Sequence, residues 1–303
     1  MKILRTPDER FASLPGFDYA PRYFEDLPGY DTLRMHYVDE GPAAAPVFLC
    51  LHGQPTWSYL YRRMIPPFLA SGARVVAPDL FGFGRSDKPA DEATYTYSFH
   101  RDSLLRFVER LDLRDVTLVC QDWGGLLGLA LVPGMPQRFA RLLVMNTFIP
   151  VGESAGPGFL AWRDYCRANP DLAAGRLLRR SAPELTDAEA AAYDAPFPDA
   201  AFKAGVRRFP ELVPIAPGMD GVEQGLRARE FWSQRWRGRS FMAIGMRDPV
   251  IPPPAMHALR AMIRGCPPPL CLETAGHFVQ EQGEQVAAAA LAAFRTSPTG
   301  PAP

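Results

Sequence analysis

The sequence lacks an excess of charge of either sign, because 33 lysine and arginine residues balance 33 aspartate and glutamate residues. A basic surface for nucleic acid or for an anionic membrane is therefore not expected. Long apolar runs are also missing, since Asp122 and Pro133 interrupt the longest ones, well short of the roughly 20 residues of a membrane span. We expect neither a nucleic-acid partner nor a membrane, and the composition is compatible with a small uncharged substrate.

Cysteine is scarce, and the five cysteines are odd in number, widely spread and unlike any zinc spacing. They are Cys50, Cys120, Cys166, Cys266 and Cys271. The first two lie inside apolar segments, as buried free thiols do, which indicates a reducing compartment. The N-terminal residues MKILRTPDERF are too polar for a signal peptide. We therefore expect a cytoplasmic protein without a metal.

Short apolar segments of strand length recur along the chain and alternate with segments of helical spacing. The strand candidates are residues 34–38, which read as an edge strand, and 46–51, 74–77, 116–120, 142–145, 241–244 and 270–272. Residues 100–111 and 126–131 have the spacing of helices. This alternation predicts an α/β fold with a mostly parallel sheet and helices on both of its faces.

One interval contains no strand candidate. Residues 150–238 are far longer than the dozen or so residues of an ordinary crossover, and prolines punctuate four helical patterns at 159–166, 171–180, 187–193 and 225–236. We therefore predict an inserted helical cap at 150–238, which divides the core into residues 1–149 and 239–303. The tail TSPTGPAP is expected to be disordered.

The segment VCQDWGG, residues 119–125, lies between a buried strand and a helix, where α/β-hydrolases carry their nucleophile elbow, G-x-S-x-G. Its tip is Asp122 instead of serine. A carboxylate is already deprotonated at neutral pH and can attack a saturated carbon to give an ester. On its own, Asp122 is equally well explained as a cap of the following helix.

Partners for such a nucleophile follow in the chain order of a hydrolase triad, nucleophile, acid and histidine. Asp248 lies just past a predicted strand, and His277 follows the last strand. Glu273 would lie within that strand, and Asn146 cannot supply a negative charge, so Asp248 is the candidate acid. Three other histidines are assigned to the surface or to helices: His36, His257 and, at a helix start, His100.

The segment HGQPTW, residues 52–57, follows the strand PVFLCL. A loop in this position supplies one backbone N–H of an oxyanion hole, and the residue after the nucleophile supplies the second. Here the two donors are expected to be Gln54 and Trp123.

Taken together, HGQPTW, APDLFGFGRSDKP, QDWGG, GMRDP and GHFVQE resemble the haloalkane dehalogenases along nearly the whole chain. The resemblance implies an α/β-hydrolase fold with a cap and the hydrolysis of small haloalkanes to an alcohol, a halide ion and a proton. Asp122 would form an alkyl ester, and water activated by His277, with Asp248 as its partner, would hydrolyse it. The resemblance implies no metal and no organic cofactor, and we expect a monomer.

The segment GFLAW, residues 158–162, resembles the first cap helix of the subgroup in which a tryptophan is the second halide ligand. An indole N–H is a donor without a competing acceptor. Trp123 and Trp162 are therefore expected to bind the halide. Phe159, on the same helical face, and Leu126 are expected to line the substrate pocket.

Two alternatives remain open at this point. An epoxide hydrolase shares the Asp–His–Asp triad and adds two cap tyrosines that activate the epoxide oxygen, and this cap contains Tyr165 and Tyr193. A non-catalytic binding protein of the same fold typically loses a triad member, and this chain keeps all three.

Overall fold

A computed structural model describes residues 2–296. The first residue of the tail predicted to be disordered, Thr296, ends the last helix, and the prediction for residues 297–303 lies outside the described part of the chain. Ten β-strands are present in this part of the chain. They are β1 Ile3–Leu4, β2 Arg22–Phe24, β3 Met35–Glu40, β4 Val47–Leu51, β5 Arg74–Pro78, β6 Lys88–Pro89, β7 Val116–Cys120, β8 Phe139–Met145, β9 Arg239–Gly245 and β10 Leu270–Leu272.

Eight of these strands form one sheet, in the order β10-β9-β8-β7-β4-β5-β3-β2. All neighbours from β10 to β5 are parallel, and β3 and β2 continue the sheet in antiparallel fashion. The central strands β4 and β7 are buried at every position, as expected for nearly continuous apolar strands that helices cover on both faces. This is the predicted α/β arrangement. The expectation that residues 34–38 form an edge strand was wrong, since the three-residue strand β2 pairs outside β3.

Ten α-helices accompany the sheet within residues 2–296. They are α1 Ile65–Ala70, α2 Tyr97–Arg110, α3 Asp122–Leu131, α4 Gly156–Ala168, α5 Ala174–Ser181, α6 Asp187–Asp194, α7 Ala204–Leu212, α8 Val222–Glu230, α9 Pro253–Met262 and α10 Gly283–Thr296. Helices α4 to α8 lie between β8 and β9, in the interval for which the sequence predicts a cap, and we refer to these helices as the cap. The sequence patterns did not predict α7, which contains Pro210. No helix in the described part of the chain is long and apolar enough to cross a membrane.

The cap helix α6 is held to the core by a buried charged cluster. Arg62 donates two hydrogen bonds to the carboxylate of Glu281, at 2.9 and 2.7 Å, and a third to Glu189 of α6 at 3.0 Å. Tyr193, also on α6, donates its hydroxyl proton to Glu281. Because each charge has a partner, the cluster can remain buried between cap and core.

A second buried cluster fixes the loops that follow β4 and β5, and it corrects the assignment of His36. That residue is 1% exposed in β3 and its Nδ1 lies 2.7 Å from Asp79 Oδ2. Asp79 also accepts the backbone N–H groups of Ser58 and Arg85, both at 2.8 Å. The pattern RMHYV gave no sign of this, because the partner lies 43 residues away.

Burial on its own raises the pKa of Asp79, but His36, His52 and the backbone N–H of Ser58 together outweigh this effect and lower the pKa to about 2. A depressed carboxyl pKa contributes stability above its ordinary value of 3.8, and that contribution is lost as the pH falls through about 2.

We expect the substitution Asp79→Asn to lower the free energy of unfolding by about 3 kcal/mol, because it leaves buried donors facing an amide. Urea unfolding at pH 7 measures the loss. The control is Asp112→Asn, whose ion pairs with Arg114 and Arg138 are exposed. An equal, small loss in both variants would contradict the role of Asp79.

Candidate active site

Asp122 occupies a sharp turn between β7 and α3. Its φ angle is +50°, in the left-handed region that non-glycine residues rarely adopt. The turn brings α3 so close to β4 that a Cβ atom on Gly124 would lie 1.9 Å from the carbonyl oxygen of Leu51. The backbone N–H of Asp122 donates to the carbonyl of Asn146 at 2.9 Å, which ties the turn to the end of β8. The strained turn therefore projects the carboxylate beyond the carboxyl ends of the parallel strands.

The loop after β4 supplies a donor to this carboxylate. The backbone N–H of Gln54 donates to Asp122 Oδ1 at 2.8 Å, where the sequence predicts an oxyanion hole. A Cβ atom on Gly53 would lie only 2.1 Å from the same oxygen, so the close approach requires glycine. Trp123, the second predicted donor, follows Asp122 in the first turn of α3.

His277 and Asp248 complete a chain of contacts that begins at Asp122. His277 Nε2 lies 3.4 Å from Asp122 Oδ2, and His277 Nδ1 lies 2.7 Å from Asp248 Oδ2. The other oxygen of Asp248 accepts the backbone N–H groups of Val250 and Ile251, at 2.8 and 3.0 Å. The three residues that the sequence placed in a triad therefore lie together, with the acid held by backbone donors.

The two carboxylates set the protonation of His277. Burial lowers its pKa, but the charge of Asp248 and the hydrogen bonds with Asp122 and Asp248 outweigh this effect and raise the pKa to about 10. While both carboxylates are charged, the imidazole is therefore protonated at neutral pH.

A cavity of about 370 Å³ lies above Asp122 and His277, between core and cap. Its wall includes Trp162 and Tyr165 of α4, whose rings stack with centroids 5.8 Å apart. A narrower inner pocket continues from it beside Asp122. The predicted residues that line this inner pocket are Gln54, Trp123, Leu126, Phe159 and Trp162.

Several residues of the site were not predicted from the sequence. Phe209 of α7 packs against the Trp123 ring with centroids 4.5 Å apart, and Asn146 donates to Asp248 Oδ2 at 2.9 Å. Gln121 contacts the ring of His277 at 2.8 Å. Tyr165 could have been placed on the cavity wall, because it follows Trp162 by three residues on one helix. The others depend on contacts between distant segments.

Comparison with known proteins places this geometry in a family. A sequence model of the alpha/beta hydrolase fold matches residues 46–284. A haloalkane dehalogenase of Psychrobacter cryohalolentis is 43% identical over 293 residues, which are 95% of this chain and 96% of that protein. One from Mycobacterium marinum is 45% identical over 292 residues, 93% of this chain and 95% of that protein. The chain belongs to the haloalkane dehalogenases.

A solved structure supports the same assignment. The tetrameric haloalkane dehalogenase DpaA from Paraglaciecola agarilytica NO2 superposes with a TM-score of 0.96 at 52% identity, covering 98% of this chain and all of that one. The resemblance drawn from the sequence motifs is thereby confirmed, as is the α/β-hydrolase fold.

For this haloalkane dehalogenase we expect Gly53→Ala to abolish most halide release without unfolding the protein, because the new methyl group displaces the Asp122 carboxylate. A loss of roughly 100-fold is expected, as for one misplaced oxyanion donor. Halide release from 1-bromobutane and circular dichroism measure the two effects. Gly134→Ala is the control, since its nearest contact would be 3.5 Å away. Full activity in Gly53→Ala would contradict the geometry.

Proposed function

We propose that the chain hydrolyses small haloalkanes through a covalent alkyl ester on Asp122. A carboxylate oxygen of Asp122 attacks the carbon that carries the halogen, the new C–O bond forms, and the carbon–halogen bond breaks to release halide. The observation that carries this proposal is the Asp122 carboxylate itself, which lines the cavity at the elbow tip and is contacted by Gln54 and His277.

The two oxygens of Asp122 have different surroundings, which supports a nucleophilic role. Oδ1 accepts the N–H of Gln54 at 2.8 Å, whereas Oδ2 has His277 Nε2 at 3.4 Å. In the ester, the oxygen in the position of Oδ1 becomes the carbonyl oxygen. The Gln54 N–H is then in place to stabilise its negative charge when water attacks.

The surroundings of the indole N–H groups support the proposal that the halide is released into the inner pocket. Three of the five tryptophans donate their indole N–H to protein acceptors, namely Trp57, Trp232 and Trp236. Within residues 2–296 no protein acceptor is found for the indole N–H of Trp123 or Trp162, and both rings line the inner pocket beside Asp122. Two such donors stabilise an anion as it forms in an apolar cavity.

Alkylation of Asp122 prepares His277 for the second step. The ester carries no charge, so one of the two carboxylates that raise the pKa of His277 is lost. Neutral His277 takes a proton from water, and the hydroxide adds to the ester carbonyl carbon. The bond to the alkyl oxygen then breaks, His277 returns its proton to give the alcohol, and the regenerated acid of Asp122 passes its proton to His277. This restores the starting imidazolium, and the proton that the imidazolium released to solvent when Asp122 was alkylated is the third product.

The tyrosines favour this reaction over epoxide opening. Tyr165 lines the cavity, but the hydroxyl of Tyr193 is buried against Glu281 and Arg62. The two tyrosines of the cap that the alternative needs therefore do not face one cavity. The cytoplasmic location, the monomeric state and the independence from cofactors stay predictions.

The substitution His277→Gln should leave the alkylation step intact and stop ester hydrolysis. We expect one halide released per protein molecule with 1-bromobutane, followed by no turnover. Intact-protein mass spectrometry should show a mass increase of one butyl group on Asp122. Continued turnover without an adduct would assign the base to another residue.

The substitution Trp162→Phe should remove one of the two indole donors. A hydrogen bond to an anion contributes about 1.5 kcal/mol, so bromide affinity should fall roughly tenfold. Quenching of tryptophan fluorescence by bromide measures the affinity. Trp236→Phe is the matched control, because its indole N–H donates to Ser240. Unchanged bromide affinity in Trp162→Phe would show that another residue is the second halide donor.

A further inference from the structure

Gln121, the residue before the nucleophile, is fully buried and directly contacts the catalytic imidazole. Its Nε2 lies 2.8 Å from His277 Nε2 and 3.1 Å from the carbonyl oxygen of His277. His277 Nε2 is the atom that must accept a proton from water in the proposed ester hydrolysis. The contact therefore involves the reactive nitrogen and not the nitrogen that faces Asp248.

The contacts around Gln121 establish which end of its amide faces His277. A carbonyl oxygen only accepts hydrogen bonds, so the atom 3.1 Å from the His277 carbonyl must be the amide nitrogen. Gln280, which is also fully buried, donates to the amide oxygen of Gln121 at 3.4 Å. The amide thus has its oxygen on Gln280 and its two hydrogens on His277.

An amide N–H at 2.8 Å from Nε2 favours the neutral form of His277 and therefore opposes the two carboxylates, which favour the protonated form. It can donate to the Nε2 lone pair of the neutral ring, whereas a proton on Nε2 would face another donor. We propose that Gln121 is a positioning residue that lowers the proton affinity of His277 by donating to Nε2 of the neutral, Nδ1-protonated ring, and that water replaces this amide at Nε2 when it transfers its proton. This inference rests on the proposed two-step reaction and adds a partner for its base.

The charged groups around His277 determine at which step of the reaction the contact with Gln121 has its largest effect on the protonation of His277. Asp248 faces Nδ1 of His277. Asp122 Oδ2 faces Nε2, where its negative charge favours the protonated form of the ring and so opposes the contact with Gln121. Glu281, on the turn that follows His277, is paired with Arg62. The remaining charged residues on the cavity wall are Arg180 and Arg247. Once Asp122 is esterified its competition ends, and Gln121 is the remaining protein contact of Nε2 among residues 2–296.

The substitution Gln121→Glu hardly changes the shape of the side chain, but it should favour the protonated form of His277 instead of the neutral form. A carboxylate accepts from protonated Nε2 and holds His277 in the form that cannot take a proton from water. We expect the burst of one bromide per protein molecule from 1-bromobutane to be kept. Steady-state turnover should fall roughly 100-fold, a typical contribution of a general base. The butyl ester on Asp122 should then accumulate and be visible by intact-protein mass spectrometry.

The substitution Gln121→Leu removes the donor without adding charge. The acidic limb of the rate of ester hydrolysis should move to higher pH by roughly 0.5 to 1 unit, the shift that corresponds to one ordinary hydrogen bond. A ¹⁵N NMR titration of the His277 ring should show the same rise, and it requires no turnover. A purely structural role would change stability without moving this titration.

Gln282→Glu is the matched control. Gln282 lies on the turn that follows His277, and its exposed amide donates to Thr274 at 2.9 Å. We expect a wild-type burst, ester level and pH profile from this variant.

Wild-type ester levels in Gln121→Glu together with an unshifted His277 titration in Gln121→Leu would overturn the inference. Absence of any halide release from the wild-type protein would instead contradict the proposed function. The NMR titration would still decide whether Gln121 lowers the proton affinity of His277.

Discussion

The imidazole of His277 lies between the carboxylates of Asp122 and Asp248, and the rest of the site depends on this arrangement. Two negative charges on one buried ring keep it protonated, which is the wrong form for a base. In the proposed reaction the first chemical step corrects this, because alkylation neutralises Asp122 and leaves one carboxylate. The charge of the proposed nucleophile would then control the base, and the ring would become a base only when there is an ester to hydrolyse.

The fold holds this arrangement through contacts far from the reacting atoms. Asp79 binds the N–H of Ser58, and His52 Nε2 accepts the N–H of Leu80 at 2.9 Å. These contacts fix both ends of the loop that places Gln54 against Asp122. On the other side, Arg62 joins Glu189 of the cap to Glu281, four residues after His277. These contacts join cap and core next to the loop that carries His277, so a change in cap packing would affect the position of His277.

The sequence was sufficient to predict the parallel strands and the grouping of the triad residues, which depend on apolar patterns and chain order. Strands such as Val116–Cys120 are buried on both faces and read as continuous apolar runs. Asp122, Asp248 and His277 follow strand ends, which parallel pairing brings to one edge of the sheet. His36 was misassigned, and Gln121 was overlooked, because their partners lie 43 and 156 residues away. Pairings at such separations are set by tertiary packing, and a buried histidine has the same local pattern as an exposed one.

The two amides beside the triad show how neutral groups can adjust its charges. Asn146 donates to Asp248 Oδ2, the oxygen that faces His277 Nδ1, and Gln121 donates to His277 Nε2. Each satisfies a buried acceptor without adding charge, so His277 can change its protonation state during the reaction. A carboxylate in place of Gln121 would hold the ring protonated, and an ammonium group there would exclude the imidazolium. In the proposed reaction, an amide would stabilise the neutral ring weakly enough for water to take its place, as a base used once per turnover requires.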